Sequence, residues 1–212
     1  MYPFLRLAKE LFLIRNAAPL ATGEVSVTRH ICWPWDLDMF AELNNGRVLT
    51  LYDLGRMPMA KRSGLLAMLK RERWGFAIAG AMVRYRQRIK LFDRIEMRSR
   101  VIGWDHRFLY IEQSMWKTDG ACASHAVYRA AVTSNAGMIA PERVMQILGS
   151  DETSPALPGW VARWIETEAE RPWPPMQEPV LAPLHRAPGI APEITHELPP
   201  EVTPDLAEES AA

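Results

Sequence analysis

Cysteine is scarce in this chain of 212 residues, and the two present, Cys32 and Cys122, are far apart and lack a second ligand pair. That excludes a disulfide framework and a cysteine zinc site, and leaves both as small buried or half-buried side chains. The five histidines, His30, His106, His125, His185 and His196, show no ligand spacing. Neither sign of charge is in excess, with 25 basic and 25 acidic side chains, so no global field gathers nucleic acid or an acidic membrane. An anionic ligand must be met by local basic groups. No apolar run approaches the ~20 residues of a bilayer span. Leu11 to Ile14 is too brief for a signal-peptide core, and Arg6, Lys9, Glu10 and Arg15 interrupt it. No segment repeats. A hydrophobic content of 48% over this length suits one domain with a real core plus extensions.

The extensions lie at both ends. In residues 1–20, Phe4, Leu7, Ala8, Leu11 and Ile14 recur at helical spacing, an amphipathic helix with two destinations. It docks on its own domain or a partner subunit, or it rests on a membrane surface through Phe4, Leu11, Phe12 and Leu13. In residues 150–212, WVARWIETEAE predicts a helix with Trp160, Val161, Trp164 and Ile165 on one stripe. Ten of the seventeen prolines follow between Pro172 and Pro204, which predicts an extended or disordered tail.

Residues 21–149 change period twice. Val25, Val27, Arg29 and Ile31 alternate with Glu24, Ser26, Thr28 and His30, as in a strand with one buried face. Asn45 to Met57 is apolar nearly all round, as in a buried helix, and Pro58 should kink or end it. A second, more amphipathic helical stretch follows to Trp74. Beyond it Ala81 to Arg86, Arg94 to Val101, RFLYIEQSMW and ACASHAVYRAAVT alternate as strands, the last two joined by the turn Lys117 to Gly120. PERVMQIL opens with proline at a first helical position and predicts a closing helix. One central helix segregated from an antiparallel run predicts an α+β layer in which a sheet wraps the helix.

Chemistry concentrates in WPWDLDMFAELNNGRVLTLYDLGR, Trp33 to Arg56. A strand there ends in two carboxylates, and Asp38 stands just upstream of a helix start whose free N–H groups can hold a carbonyl oxygen or an anion. Asp36, Asp38, Glu42 and Asn44 also suggest a calcium loop. Ala41 stands where that loop needs glycine and Arg47 where it needs glutamate, so a metal site is not expected. Asp53 pairs most simply with Arg56 at i to i+3, and Asp93 with backbone N–H groups at the corner between strands.

DLDMFAELNNGRVLTLYDLGR resembles the signature of the hotdog-fold acyl-CoA thioesterases, the 4-hydroxybenzoyl-CoA thioesterase-like family: Asp, two variable residues, Gly, His, Val or Met, Asn, Asn, then a helix ending in an acid and Arg. YRQRIKLFDRIEMRSRV is similar to the same family's strand corner, so the resemblance covers Glu24 to Thr133. It lies nearest the branch around thioesterase superfamily member six, where a hydrophobic N-terminal helix precedes the domain. The resemblance implies a hotdog fold and a homodimer or homotetramer with its acyl pocket between subunits. It implies an acyl-CoA thioester as substrate, with CoA entering as part of that substrate and no other cofactor. Cytoplasmic placement is expected, with peripheral membrane contact through the N-terminal helix as its variant.

Carried over, the resemblance puts the catalytic carboxylate on Asp38 and the carbonyl-holding helix start on Asn44, Asn45 and Gly46. Asp38 would act as nucleophile, forming a mixed anhydride, or as general base for water. Where the family has Gly and His, this chain has Ala41 and Glu42. Ala41 is disfavoured if the position needs positive φ. Glu42 adds a second carboxylate, which suits acid and base roles if it titrates jointly with Asp38; otherwise it is a solvated loop residue or marks lost activity. A non-catalytic acyl-CoA or lipid-binding protein is therefore the alternative. A hotdog dehydratase needs a histidine close after the acid, and none follows Asp38.

Overall fold

The computed structural model describes residues 2–150 and 153–176; the proline-rich stretch from 177 on lies outside them. Helix α1 (Phe4–Leu13) precedes strand β1 (Ser26–Ile31), a 3₁₀ turn at Pro34–Asp36, and helices α2 (Asn45–Arg62) and α3 (Leu65–Glu72). Strands β2 (Gly75–Tyr85), β3 (Arg94–Trp104), β4 (Leu109–Lys117), β5 (Cys122–Ser134) and β6 (Gly137–Ile139) follow, then helices α4 (Pro141–Ile147) and α5 (Gly159–Glu170). Pro141 opens α4 at its first turn, where a missing N–H is harmless.

The strands form one antiparallel sheet in the order β1-β3-β4-β5-β2, with β6 on the end of β5. It curls around α2. From the helix, Val48, Leu51, Tyr52, Leu54 and Met59 pack into the core with Ile95, Met97, Ile111 and Met115. Each such side chain contributes roughly 1.5–3 kcal/mol. Gly55 permits the close approach: a Cβ there would sit 2.5 Å from Met97 Sδ and 2.7 Å from Ser99 Oγ. On the other face, Val161, Trp164 and Ile165 of α5 cover Ile102, Tyr110 and Val127, so β5 is buried on both sides. Among the described residues, those up to Ala169 cluster as one compact unit.

The structure settles two points that the sequence left open. Pro58 does not end α2, which continues to Arg62; the chain breaks instead at Gly64, whose φ of +81° favours glycine. Proline costs about 3 kcal/mol inside a helix, and here it is offset by burial among the core side chains. In β1 the buried face is the polar one: Ser26, Thr28 and His30 point inward while Val27 is exposed. Burial of α2 is also one-sided enough to leave Leu49 exposed.

Helix α1 packs against α2, and Lys61 Nζ donates to Leu11 O at 3.0 Å. Among the described residues no helix is long and apolar enough to cross a membrane.

Candidate active site

The segment between β1 and α2 is held at its root by Asp36. Its fully buried carboxylate accepts from Arg6 Nη1 and Arg47 Nε, both at 2.7 Å, and from Trp33 N at 3.1 Å. Asn44 N donates to the Asp36 carbonyl at 3.0 Å, closing the loop against the helix start. Asp36 is thus a structural ion-pair centre rather than a metal ligand. Only the sequence-distant Arg6 and Arg47 make that role visible.

Asp38 opens a tight reversal. Its N–H donates to Glu42 O at 2.8 Å, and its Oδ1 accepts from Phe40 N at 2.8 Å and Glu42 N at 3.3 Å. The reversal forces Ala41 to φ +58°, the conformation a glycine would take without strain. Glu42 then bridges to Lys90, and Leu43 N donates to Ile89 O at 2.8 Å, which lays the loop along the corner before β3. Asp38 and Glu42 therefore share one turn, yet their carboxylates are engaged separately. Glu42 Oε1 pairs with Arg88 at 3.0 Å, while Asp38 caps its own loop.

At the helix start Asn44 is the N-cap: its Oδ1 accepts from Arg47 N at 3.0 Å, and its carbonyl accepts from Val48 N at 2.9 Å. Among the described residues the N–H groups of Asn45 and Gly46, the first two of α2, donate no hydrogen bond. They are the orphan donors of this helix end, carrying the positive end of its dipole. Tyr85 Oη donates to Asn45 O at 3.2 Å and ties β2 to this turn.

Glu42 and Asn45 line a cleft of about 210 Å³ together with Tyr85, Arg86, Arg88 and Ser124. Asp38, Asn44 and Gly46 are not in its wall; Asn44 lines a separate hollow with Trp35, Asp36 and Arg47. Ser124 and Tyr52 bond at 2.9 Å beneath the cleft, and burial pushes the Tyr52 hydroxyl far above its ordinary range. Both thus stay neutral hydrogen-bonding groups.

Deeper still, Arg56 is buried with its guanidinium over the Tyr128 ring, donating to Asp53 and, at 2.8 Å, to Gln113 Oε1. Gln113 Nε2 donates in turn to Tyr52 O and Ser99 Oγ. The Asp53 pair is the one expected from i to i+3 spacing. Asp93 also caps its corner as expected, accepting from Lys90 N at 2.9 Å. Gln113 escaped sequence reading; its signal was a polar residue at an inward position between Ile111 and Met115. Arg86 and Arg88 reach the cleft from the segment that follows β2, on the way to the corner before β3.

A curled antiparallel sheet around one central helix, with a carboxylate loop at that helix's start, defines a hotdog fold of the thioesterase kind. The profile of the thioesterase-like superfamily matches residues 32–165, and the chain belongs to that superfamily. Protein THEM6 of Xenopus laevis is 30% identical over 138 residues, covering 64% of this chain and 65% of the relative. Protein THEM6 of Danio rerio is 26% identical over 114 residues, covering 53% and 54%. The chain thus spans less than two thirds of the length of either relative. Among solved structures, the probable thioesterase YbaW of Escherichia coli superposes with a TM-score of 0.55 at 16% identity, over 59% of this chain and 97% of that one. The DHNA-CoA thioesterase of Staphylococcus aureus gives 0.51 at 13%, over 68% and 91%. At these identities the structures speak for the fold.

Proposed function

We propose that this protein hydrolyses acyl-CoA thioesters, with Asp38 as the reacting carboxylate and the N–H groups of Asn45 and Gly46 holding the carbonyl oxygen. The observation that carries this reading is the pair of unanswered donors at the start of α2, the helix that follows the loop bearing Asp38. A carbonyl there is polarised, and negative charge developing on its oxygen is stabilised by prearranged donors. Asp38 either attacks the carbonyl carbon, expelling the CoA thiolate and leaving a mixed anhydride for water to open, or takes the proton of an attacking water. CoA is part of the substrate, and the chemistry needs no metal or organic cofactor.

Arg86 and Arg88, at the mouth of the cleft, suit the phosphates of CoA. Strand β2 is a sheet edge with Ile78 39% exposed and its alanines at the surface, which supports pairing of two copies into a homodimer. On α1, Phe4, Leu5, Phe12 and Leu13 are all more than half exposed, which supports peripheral contact of this otherwise cytoplasmic protein with a membrane surface.

The test is turnover on a panel of acyl-CoA chain lengths with Asp38→Asn and Asp38→Ala alongside. Asparagine keeps an acceptor for Phe40 N and so separates chemistry from loop structure. Asp38→Asn should lower kcat by roughly 10²–10⁴ with little change in Tm. Single turnover in ¹⁸O-water places label on Asp38 only if it is the nucleophile. No turnover of any thioester by the wild type, with CoA esters still bound, would establish the non-catalytic binding protein instead. The strained Ala41 and the Arg88-bound Glu42 favour that second reading.

A further inference from the structure

Helix α1, the edge strand β1 and the adjoining ends of β3 and β4 line an open groove of about 880 Å³ that shares no lining residue with the cleft at Glu42. Its volume lies within the ~300–1,000 Å³ of small-molecule sites. Leu5, Ile31, Trp33 and Trp116 supply apolar walls. Of the cations around it, Arg29 and Arg98 are occupied by Glu96, Arg6 by Asp36, and Lys117 lies near Asp93 and Asp119. Arg94 is exposed and, among the described residues, has no carboxylate at ion-pair distance. Lys9 also lines the groove, its side chain 59% exposed and its Nζ 3.1 Å from Glu10 Oε1.

The groove also holds a buried acid. The Glu10 side chain is only 4% exposed, and its Oε1 accepts no hydrogen bond, although Lys9 Nζ lies 3.1 Å and His30 Nδ1 3.7 Å away. His30 does not compensate it with a charge: burial, then Arg6 and Lys9, hold its pKa down to about 3, and its Nε2 meets Thr28 Oγ1 at 2.8 Å. A buried carboxylate oxygen that accepts no well-aligned hydrogen bond is costly even with an ammonium group close by, and a ligand that brings a hydrogen gains by filling that place.

We propose that this groove is a second ligand site, for a single-chain amphiphile whose anionic head carries a hydroxyl, as in a lysophosphatidate. The alkyl chain lies against Leu5, Trp33 and Trp116, the anion meets Arg94 and Lys9, and the hydroxyl donates to Glu10 Oε1. The site does not depend on thioester hydrolysis.

Binding of monomeric oleoyl lysophosphatidate to the full chain, followed by calorimetry, tests this, with oleate and oleoyl lysophosphatidylcholine as comparators. Saturable binding to one site per chain is expected. It should weaken roughly tenfold or more in Arg94→Glu and in Trp116→Ala, and for either comparator. Thioester turnover of Arg94→Glu and its Tm should stay at the wild-type level, so failure here and failure of the thioesterase reading are separate results. Absence of saturable binding overturns the site, as does affinity unchanged in both variants. Displacement by excess CoA overturns it too, by placing the amphiphile in the thioester cleft. Equal affinity for oleate removes the role of Glu10, and equal affinity for the phosphatidylcholine removes that of the cations; either result overturns the proposal as stated.

Discussion

Arg47, on the first turn of α2, donates Nε to Oδ1 of the fully buried Asp36 at 2.7 Å, across the loop that carries Asp38 and Glu42. Arg6 reaches the other oxygen from α1, so one carboxylate ties the N-terminal helix, the loop and the central helix together. Removing one partner of a buried pair leaves the remaining charge uncompensated. Asp36→Asn should therefore cost about 3–5 kcal/mol in chemical denaturation. It should also release α1 to limited proteolysis before the sheet unfolds.

The loop itself contains a correctable strain. Ala41 sits at φ +58°, where an L side chain crowds its own backbone. Ala41→Gly should stabilise the protein by about 0.5–1 kcal/mol after the larger unfolded-state entropy of glycine is offset. A rise of a few degrees in Tm is the expected reading, and an unchanged or lower Tm would show that the strain is relieved elsewhere.

Gly55 has the opposite sensitivity. Its absent Cβ leaves room for Met97 and Ser99, both almost fully buried, so Gly55→Ala must push α2 away from the sheet or displace both side chains. A loss of about 1–3 kcal/mol is expected. Because Ser99 accepts from Gln113, which holds Arg56, the near-UV signal of Tyr52 and Tyr128 should change as well.

His30 makes stability depend on pH in a defined direction. Its folded pKa is depressed to about 3, chiefly by burial and then by Arg6 and Lys9, against an ordinary value of 6.5. Between those values the unfolded chain binds the extra proton, so stability present above about pH 6.5 is lost as pH falls, at about 1.4 kcal/mol per unit. Urea midpoints at pH 7 and pH 5 should differ more for the wild type than for His30→Gln. Equal differences would show that Glu10, the acid facing His30, or other carboxylates dominate the slope.

Much of this architecture was legible along the chain. The helical run at Asn45, the alternating strands after Trp74, the hairpin at Lys117 to Gly120 and the proline-led α4 all follow from periodicity and turn chemistry. Asp93 as a corner cap and Asp53 as the partner of Arg56 were equally local. The zero net charge was less informative. Residues 177–212 carry seven acidic side chains and one basic, which leaves 24 basic against 18 acidic in residues 1–176. The part that holds the cleft and the groove is basic in composition, and the total conceals it.

Local preferences thus settled which segments are helix or strand and where the loop of carboxylates stands, because they involve neighbours a few residues apart. Packing decided what those residues meet. On the polar inward face of β1, His30 meets Glu10 from α1 and Thr28 from its own strand, and Pro58 stays within α2 because the surrounding core outweighs one lost hydrogen bond. Asp36 became an ion-pair centre and Glu42 the partner of Arg88 for the same reason. A carboxylate's role is set by the charges and donors within a few ångströms of it, and the fold brings those together from distant parts of the chain.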